Sequence, residues 1–223
     1  MVIKIEQTNI EHSIFCEAII TEMESSAKVR GTGIAKRSIE YVNKKITEGN
    51  AIIALTEQNE WAGFCYIETW SEEKFVVNSG LIVAPQYREL GLARKIKKEI
   101  FKLSRQKFPN AKIFGLTTGL AVMKINSELG YEPITYSEIT QDEKFWEGCK
   151  SCVNYDILIS KNRKNCLCTA MMYDKNNDVL QKRQKEEKIL IKERLSRMKK
   201  KHSLLKIISL KFKRKSKTFF KNS

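Results

Sequence analysis

Residues 80–95 read GLIVAPQYRELGLARK. An apolar run ends at Pro85, a short polar stretch carries Arg88 and Gly91, and a run with helical periodicity begins at Leu92. A proline that stops a strand and a glycine that opens a helix leave few conformations for the residues between them. A helix start presents unpaired backbone N–H groups and the positive end of the helix dipole. Gly91 and Ala93 are small enough for a phosphate to approach that backbone, and Arg88, Arg94 and Lys95 add positive charge. The segment predicts a strand–loop–helix corner able to hold a pyrophosphate. The hexapeptide alone fits an ordinary corner with solvated arginines equally well, so its surroundings decide.

Residues 2–6 alternate as a short strand, and Ile10, Ile14, Ala18 and Met23 predict a first helix over 9–26. The stretch AKVRGTGIAKR (27–37) has neither period and reads as a loop; Ser38 can cap a second helix ending near Gly49. NAIIAL, the polar turn TEQNE and WAGFCYIETW read as a hairpin, and FVVNSGLIVAP as a further strand. A helix over 92–107 carries Ala93, Ile96, Ile100, Phe101 and Leu103 as its apolar stripe. AKIFGLTT is a strand, GLAVMKINSELGY a helix closed by Gly130, and ITYSEI and CLCTAMMY read as two last strands. The order β-α-α-β-β-β-α-β-α-β-β is neither a run of βαβ units nor a meander, and predicts a mixed α/β (α+β) sheet flanked by helices.

Charge divides the chain. Residues 174–223 hold 18 Lys and Arg against 5 Asp and Glu, while residues 1–173 hold 23 against 21. The expected organisation is a domain over 1–173, with a cysteine-containing part at 141–173, followed by a basic tail over 174–223, helical or disordered. The tail mixes apolar residues with closely spaced lysines, which suits an anionic membrane surface or nucleic acid as well as a solvated extension. The N-terminus does not read as a signal peptide and no apolar run is long enough to span a bilayer. A cytoplasmic location with reduced cysteines is expected.

RELGLA preceded by LIVAPQY, then followed by an amphipathic helix, a strand and a helix ending in LGY, resembles the GNAT acetyltransferase superfamily over about residues 1–140. The resemblance implies a mostly antiparallel GNAT sheet and an acyl-CoA co-substrate. The pyrophosphate would lie on the loop and helix start at Arg88, Gly91, Leu92, Ala93 and Arg94. The strand residues Leu81, Ile82 and Val83 would offer main-chain groups to the pantetheine arm and thioester carbonyl. The strings ESSAKVRGTGIAKR, GFCYIETW, TTGLAVMKINSELGY and NYDIL…NRKNCLC are similar to stand-alone GNAT proteins of Bacteroidetes associated with arginine biosynthesis. That likeness, over about 1–173, implies transfer from acetyl-CoA or succinyl-CoA to the α-amine of glutamate.

Attack of an amine on a thioester needs a base, an oxyanion donor and, for the leaving thiolate, an acid. Glu68 is the candidate base, acting directly or through a water; a surface carboxylate is its plain alternative. Where the family often has a tyrosine acid, this chain has Asn126, which can hydrogen-bond the CoA sulfur or pantetheine but cannot act as an acid. Either Tyr131, Tyr136 or a water takes that role, or no acid is needed. Arg30, Lys36 and Arg37 in the 27–37 loop suit a carboxylate-bearing acceptor, most simply an acidic amino acid. Candidate partners are thus a small amine substrate, a second copy of the chain as a homodimer, and for the tail a membrane or nucleic acid.

Cys149-x2-Cys152 and Cys166-x-Cys168 place four thiols within twenty residues, a set that could hold zinc if it converges; buried free thiols and a redox role are the alternatives. Cys16 and Cys65 fall on apolar faces and read as core. Two competing functions remain at this stage: a protein or peptide N-acetyltransferase, and a non-catalytic acyl-CoA-binding module with a surface-binding tail.

Overall fold

The computed structural model describes residues 2–31 and 37–177, together with 186, 189–192 and 194. The chain divides into two units, Met1–Lys175 and Asn176–Ser223. Apart from those few positions the tail, and with it the membrane and nucleic-acid readings, lies outside the described residues. Among the described residues no helix is long and apolar enough to cross a membrane.

Seven strands form one sheet: β1 (Ile3–Gln7), β2 (Ala51–Thr56), β3 (Trp61–Trp70), β4 (Phe75–Val83), β5 (Lys112–Thr117), β6 (Glu132–Pro133) and β7 (Thr169–Tyr173). Their spatial order is β1-β2-β3-β4-β5-β7-β6. Only β4 and β5 run parallel; every other neighbouring pair is antiparallel. This is the mixed, mostly antiparallel sheet that the element order predicts.

Helices cover both faces, which explains why β2 is buried at all six positions. Successive side chains of a strand point to opposite faces. Ile52 and Ala54 therefore pack with Ile96, Ile100 and Leu103 of α3 (Leu92–Lys107). Ala51, Ile53 and Leu55 pack with Ile19 and Met23 of α1 (Cys16–Arg30) and Val42 and Ile46 of α2 (Ile39–Thr47). Beyond β5, α4 (Leu120–Glu128) ends at Gly130, whose φ is +86°. The last part of the unit holds α5 (Glu143–Glu147) and α6 (Tyr155–Ser160), with Trp146 and Leu158 packed against Val77, Phe114 and Met172.

Three expectations are corrected. The first helix is not continuous: Asn9 caps a 3-10 turn over Ile10–Phe15, and α1 begins only at Cys16. The tighter turn shifts the phase of the buried face. Ile10 and Ile14, expected inside, are 72% and 80% exposed, and the buried stripe is Cys16, Ile19, Met23 and Ala27. ITYSEI is not a strand; Thr135 and Glu138 form a capping box around a 3-10 turn over Tyr136–Glu138. Cys166 and Cys168 precede β7 rather than lying in it.

The ladder between β4 and β5 has three rungs, Phe75–Val77 against Lys112–Phe114. Past Val77 the strands part. There β4 also slips against β3, the pairing jumping from Tyr66↔Ser79 to Phe64↔Ile82. Gly80 makes the jump with φ +64°, a conformation that side chains disfavour. A Cβ there would collide with the buried Tyr66 ring and the Met23 methyl. Gly80→Ala is therefore expected to cost about 2–4 kcal/mol of stability, read as a lower midpoint in urea with an unchanged slope. A midpoint equal to wild type would show that this stretch is not held in the described conformation.

Candidate active site

Glu68 lies near the end of β3 and is 4% exposed. Its Oε1 accepts from Tyr41 Oη at 2.6 Å and from Arg37 Nη2 at 3.2 Å. Its Oε2 accepts from Ser79 Oγ, and Arg37 Nη2 lies 3.5 Å away. Arg37 Nε also donates to Tyr66 Oη at 2.8 Å. Burial opposes the guanidinium's charge, but Tyr66 and Glu68 beside it hold Arg37 above its ordinary value. Burial and the carboxylate push the phenols of Tyr41 and Tyr66 well up, so both stay protonated donors or acceptors.

This cluster borders a cavity of about 490 Å³. Val77 and Ser79 of β4 and Leu116 of β5 line it, so it occupies the space where those strands part. Trp70 and Phe145 form an apolar wall, and Lys144, which makes no ion pair among the described residues, sits on the border. A buried carboxylate at one end and aromatic rings at the other suit an amine with a body of some size.

A second cavity, of about 350 Å³, lies at the start of α3 and is lined by Val83, Arg88, Gly91, Leu92, Ala93 and Arg94, with Ala121 and Ile125 of α4 opposite. Gly91 caps the helix with φ +70° and makes no side-chain capping bond; no acidic residue stands in the first turn. A Cβ at Gly91 would meet nothing within 4 Å. The backbone there is open, and only the left-handed φ calls for glycine. The two arginines point elsewhere. Arg88 donates to Glu22 Oε1 at 2.6 Å, Ser26 Oγ at 2.7 Å and the Val83 carbonyl at 3.2 Å. Arg94 grips Glu128 with two bonds, of 2.7 and 3.0 Å. The anion site is thus mainly backbone, with Arg88 strapping the loop to α1. One strand, β4, borders both cavities.

Asn126 of α4 is 1% exposed. Its Nδ2 is 3.9 Å from Met171 Sδ, and its Oδ1 has no partner among the described residues. Its amide lies against β5, where a Cβ on Gly115 would be 3.8 Å from Nδ2. A buried acceptor without a donor is costly and suits a ligand N–H arriving between the parted strands. These features fit a CoA co-substrate: an open helix start for the pyrophosphate, parted strands for the pantetheine, and an orphaned amide beside them.

The structure brings Arg37 to Glu68, but Tyr131 borders neither cavity. It is buried on the α3 side of the sheet, its hydroxyl donating to Asn78 Oδ1 at 3.2 Å and its ring packed near Phe101 and Tyr173. Tyr136 donates to the Cys168 carbonyl at 2.9 Å. Lys36 and the side chain of Arg30 lie outside what is described. The zinc expectation is corrected: among the described residues no group of three or more His, Cys, Asp or Glu is arranged to hold a metal. Cys149, Cys152 and Cys168 border the first cavity, but the Cys166 thiol faces the Asn154 carbonyl at 3.8 Å. Burial, and after it the neighbouring cysteines, push the thiols of Cys149 and Cys168 up to about 11 and about 12. Cys16 and Cys65 are buried, as expected.

No family model and no curated protein matches the chain. Solved structures do. N-acetylglutamate synthase from Neisseria gonorrhoeae, complexed with coenzyme A and N-acetyl-glutamate, aligns at TM-score 0.55 and 17% identity, over 78% of this chain and 35% of that one. This chain thus spans about a third of the Neisseria protein's length. Rv2747 from Mycobacterium tuberculosis, in complex with CoA, aligns at TM-score 0.55 and 14% identity, over 77% of this chain and 98% of its own. A GNAT superfamily phosphinothricin acetyltransferase from Sinorhizobium meliloti, in complex with AcCoA, aligns at TM-score 0.52 and 13% identity, over 78% and 89%. The chain has the fold of the GNAT acetyltransferases.

Proposed function

We propose that the chain is an acyl-CoA-dependent N-acyltransferase that transfers an acetyl or succinyl group to the α-amine of an amino acid, with glutamate as the leading acceptor. The observation that carries this reading is the placement of β4, which borders an open helix start on one side and a buried, hydrogen-bonded carboxylate on the other. The acyl donor supplies the electrophilic thioester carbonyl. The backbone of Gly91, Leu92 and Ala93 binds the pyrophosphate, and Leu81, Ile82 and Val83 offer main-chain groups to the pantetheine and the developing oxyanion. Asn126 supplies its unpartnered amide oxygen to the same arm. Glu68 receives the acceptor's proton. With Tyr131 outside the cavity, the thiolate leaves without that acid.

Arg37 is already paired with Glu68, so the acceptor's carboxylate meets Arg37 as part of a shared network, with Lys144 as the free cation on the border. Support for glutamate comes from that charge, from the likeness of the quoted strings, and from the N-acetyl-glutamate named in the Neisseria complex.

The test is a mass-spectrometric product screen of the purified full chain, with acetyl-CoA or succinyl-CoA and a panel of standard amino acids. N-acylglutamate is the expected result, with the acyl-CoA KM raised about tenfold or more by Arg88→Ala, which cuts the strap that holds the pyrophosphate loop to α1. Acyl-CoA binding with no acylated amino acid would reject this acceptor class and favour a protein substrate or a binding module.

A further inference from the structure

Glu68 has donors on both oxygens: Tyr41 and Arg37 on Oε1, Ser79 on Oε2 with Arg37 close by. A carboxylate held this way gains a proton most directly along one of the hydrogen bonds it already accepts. Arg37 cannot pass a proton on, because a guanidinium donates but does not accept. A hydroxyl does both, which leaves Tyr41 and Ser79, both on the cavity wall.

Their positions separate them. Tyr41 stands on α2, with Arg37 and Lys45 over its ring at 5.5 and 5.2 Å. Ser79 stands on β4, one residue before the Gly80 slip and two past the last rung with β5. It is therefore at the mouth of the opening between the strands, on the strand that runs on to Val83 and the second cavity. Its main chain is held as well: the Cys65 thiol donates to the Ser79 carbonyl at 3.3 Å.

We propose that the Ser79 hydroxyl is a catalytic proton relay between the acceptor amine and Glu68. The proposal rests on the acyl-transfer reading above. One N–H bond of the acceptor's ammonium breaks and its proton bonds to Ser79 Oγ, which frees the nitrogen lone pair that attacks the thioester carbonyl. The original Ser79 O–H bond breaks in the same movement and its proton bonds to Glu68 Oε2. Serine ends unchanged, the carboxylate becomes a carboxylic acid, and no oxidant or further reactant is needed. As the C–S bond breaks, the adduct nitrogen loses its second proton to the departing thiolate or to solvent, and Glu68 then returns its proton to solvent through Ser79.

The test uses the full chain, acetyl-CoA and the standard amino acid that is acetylated fastest. Ser79→Ala is expected to lower kcat about 10²-fold at neutral pH, with KM for acetyl-CoA within about threefold of wild type. The lost rate should return as pH rises past the acceptor's ammonium pKa, because an amine that arrives neutral needs no relay. Ser79→Thr, which keeps a hydroxyl, should recover most of the rate. A Ser79→Ala kcat within about threefold of wild type overturns the relay, as does a loss equal at every pH that threonine does not rescue. Tyr41→Phe crippled beside an active Ser79→Ala would give the role to Tyr41. If Ser79→Ala no longer binds acetyl-CoA, Ser79→Thr and Ser79→Cys are compared instead; an active threonine and a slow cysteine variant sustain the relay, and equal rates overturn it. A wild type inactive on every amine removes the acyl-transfer reading and the relay together, whereas an active wild type with a fully active Ser79→Ala removes the relay alone.

Discussion

Glu68→Gln should turn over about 10²–10³-fold more slowly than wild type at neutral pH while still binding acetyl-CoA. Glutamine keeps the size of the side chain, an oxygen for Tyr41 and an NH2 that can donate to Ser79 Oγ, but it cannot take the amine's proton. Arg37 loses its counter-ion, yet its side chain is partly exposed and keeps contact with water, so the cost to folding is modest compared with the kinetic loss. The deficit should narrow as pH rises, because less of the acceptor then needs a base. The measurement is a kcat profile from pH 6.5 to 10 for both proteins, beside an acetyl-CoA titration followed by calorimetry. A variant as fast as wild type would remove Glu68 from the chemistry and leave it a structural carboxylate.

The second large effect lies behind the sheet and has the opposite sign. Lys97 of α3 is 3% exposed. Its ammonium donates to Asn78 Oδ1 at 3.3 Å and lies 5.3 Å over the Tyr131 ring. Among the described residues no carboxylate faces it: Cys65 on β3, Tyr131 and the Asn78–Ser104 pair are its polar surroundings. Burial lowers its pKa to about 8, with Cys65 opposing weakly. Below that value Lys97 is charged in folded and unfolded chains alike, and the folded state bears the full desolvation penalty. Between about pH 8 and the ordinary lysine value of about 10.4 the unfolded chain holds the proton that the folded one has shed, so this group's contribution to stability rises with pH. Lys97→Met removes the charge and keeps a linear side chain, and Tyr131 still donates to Asn78. The variant should be more stable than wild type at pH 7 by about 2–3 kcal/mol, a rise in Tm of several degrees. That gap should close as pH is raised toward 10. Thermal melts of both proteins across that range decide the matter, and a gap that stays flat would show that folded and unfolded chains hold the lysine's proton alike, so that burial does not lower its pKa.

What the sequence makes legible follows from how local each signal is. The Pro85–Arg88–Gly91 corner, the β2–β3 hairpin and the α3 stripe are set by neighbours in the chain, and the structure has them within a residue or two. The capping box at Thr135 and Glu138 is equally local and spells out the 3-10 turn that apolar content alone disguises as a strand. Glu68 stands out because a carboxylate in an apolar strand has to be explained. Tyr41 and Ser79 give no such signal. Which strand positions face each other depends on register, and here the register changes at Gly80, so periodicity could not pair Ser79 with Glu68. Lys97 looks like any helix lysine until α3 is packed. The four cysteines show the reverse problem: three of them border one cavity, yet among the described residues they form no group that could hold a metal.

The three rungs that join β4 to β5 also make the sheet a hinged pair of panels. One panel, β1 to β4, carries Glu68, Ser79 and the entry to the helix start, while the other, β5, β7 and β6 with α5 and α6, supplies Leu116, Phe145 and the thiols of the cavity wall. Because so little backbone is shared across the seam, residues 141–173 reach β4 through side-chain packing, as Trp146 and Leu158 do at Val77. A ligand seated between the panels would also act as a wedge and a weld at once, occupying main-chain groups that no strand reaches and coupling the two halves only while it is bound.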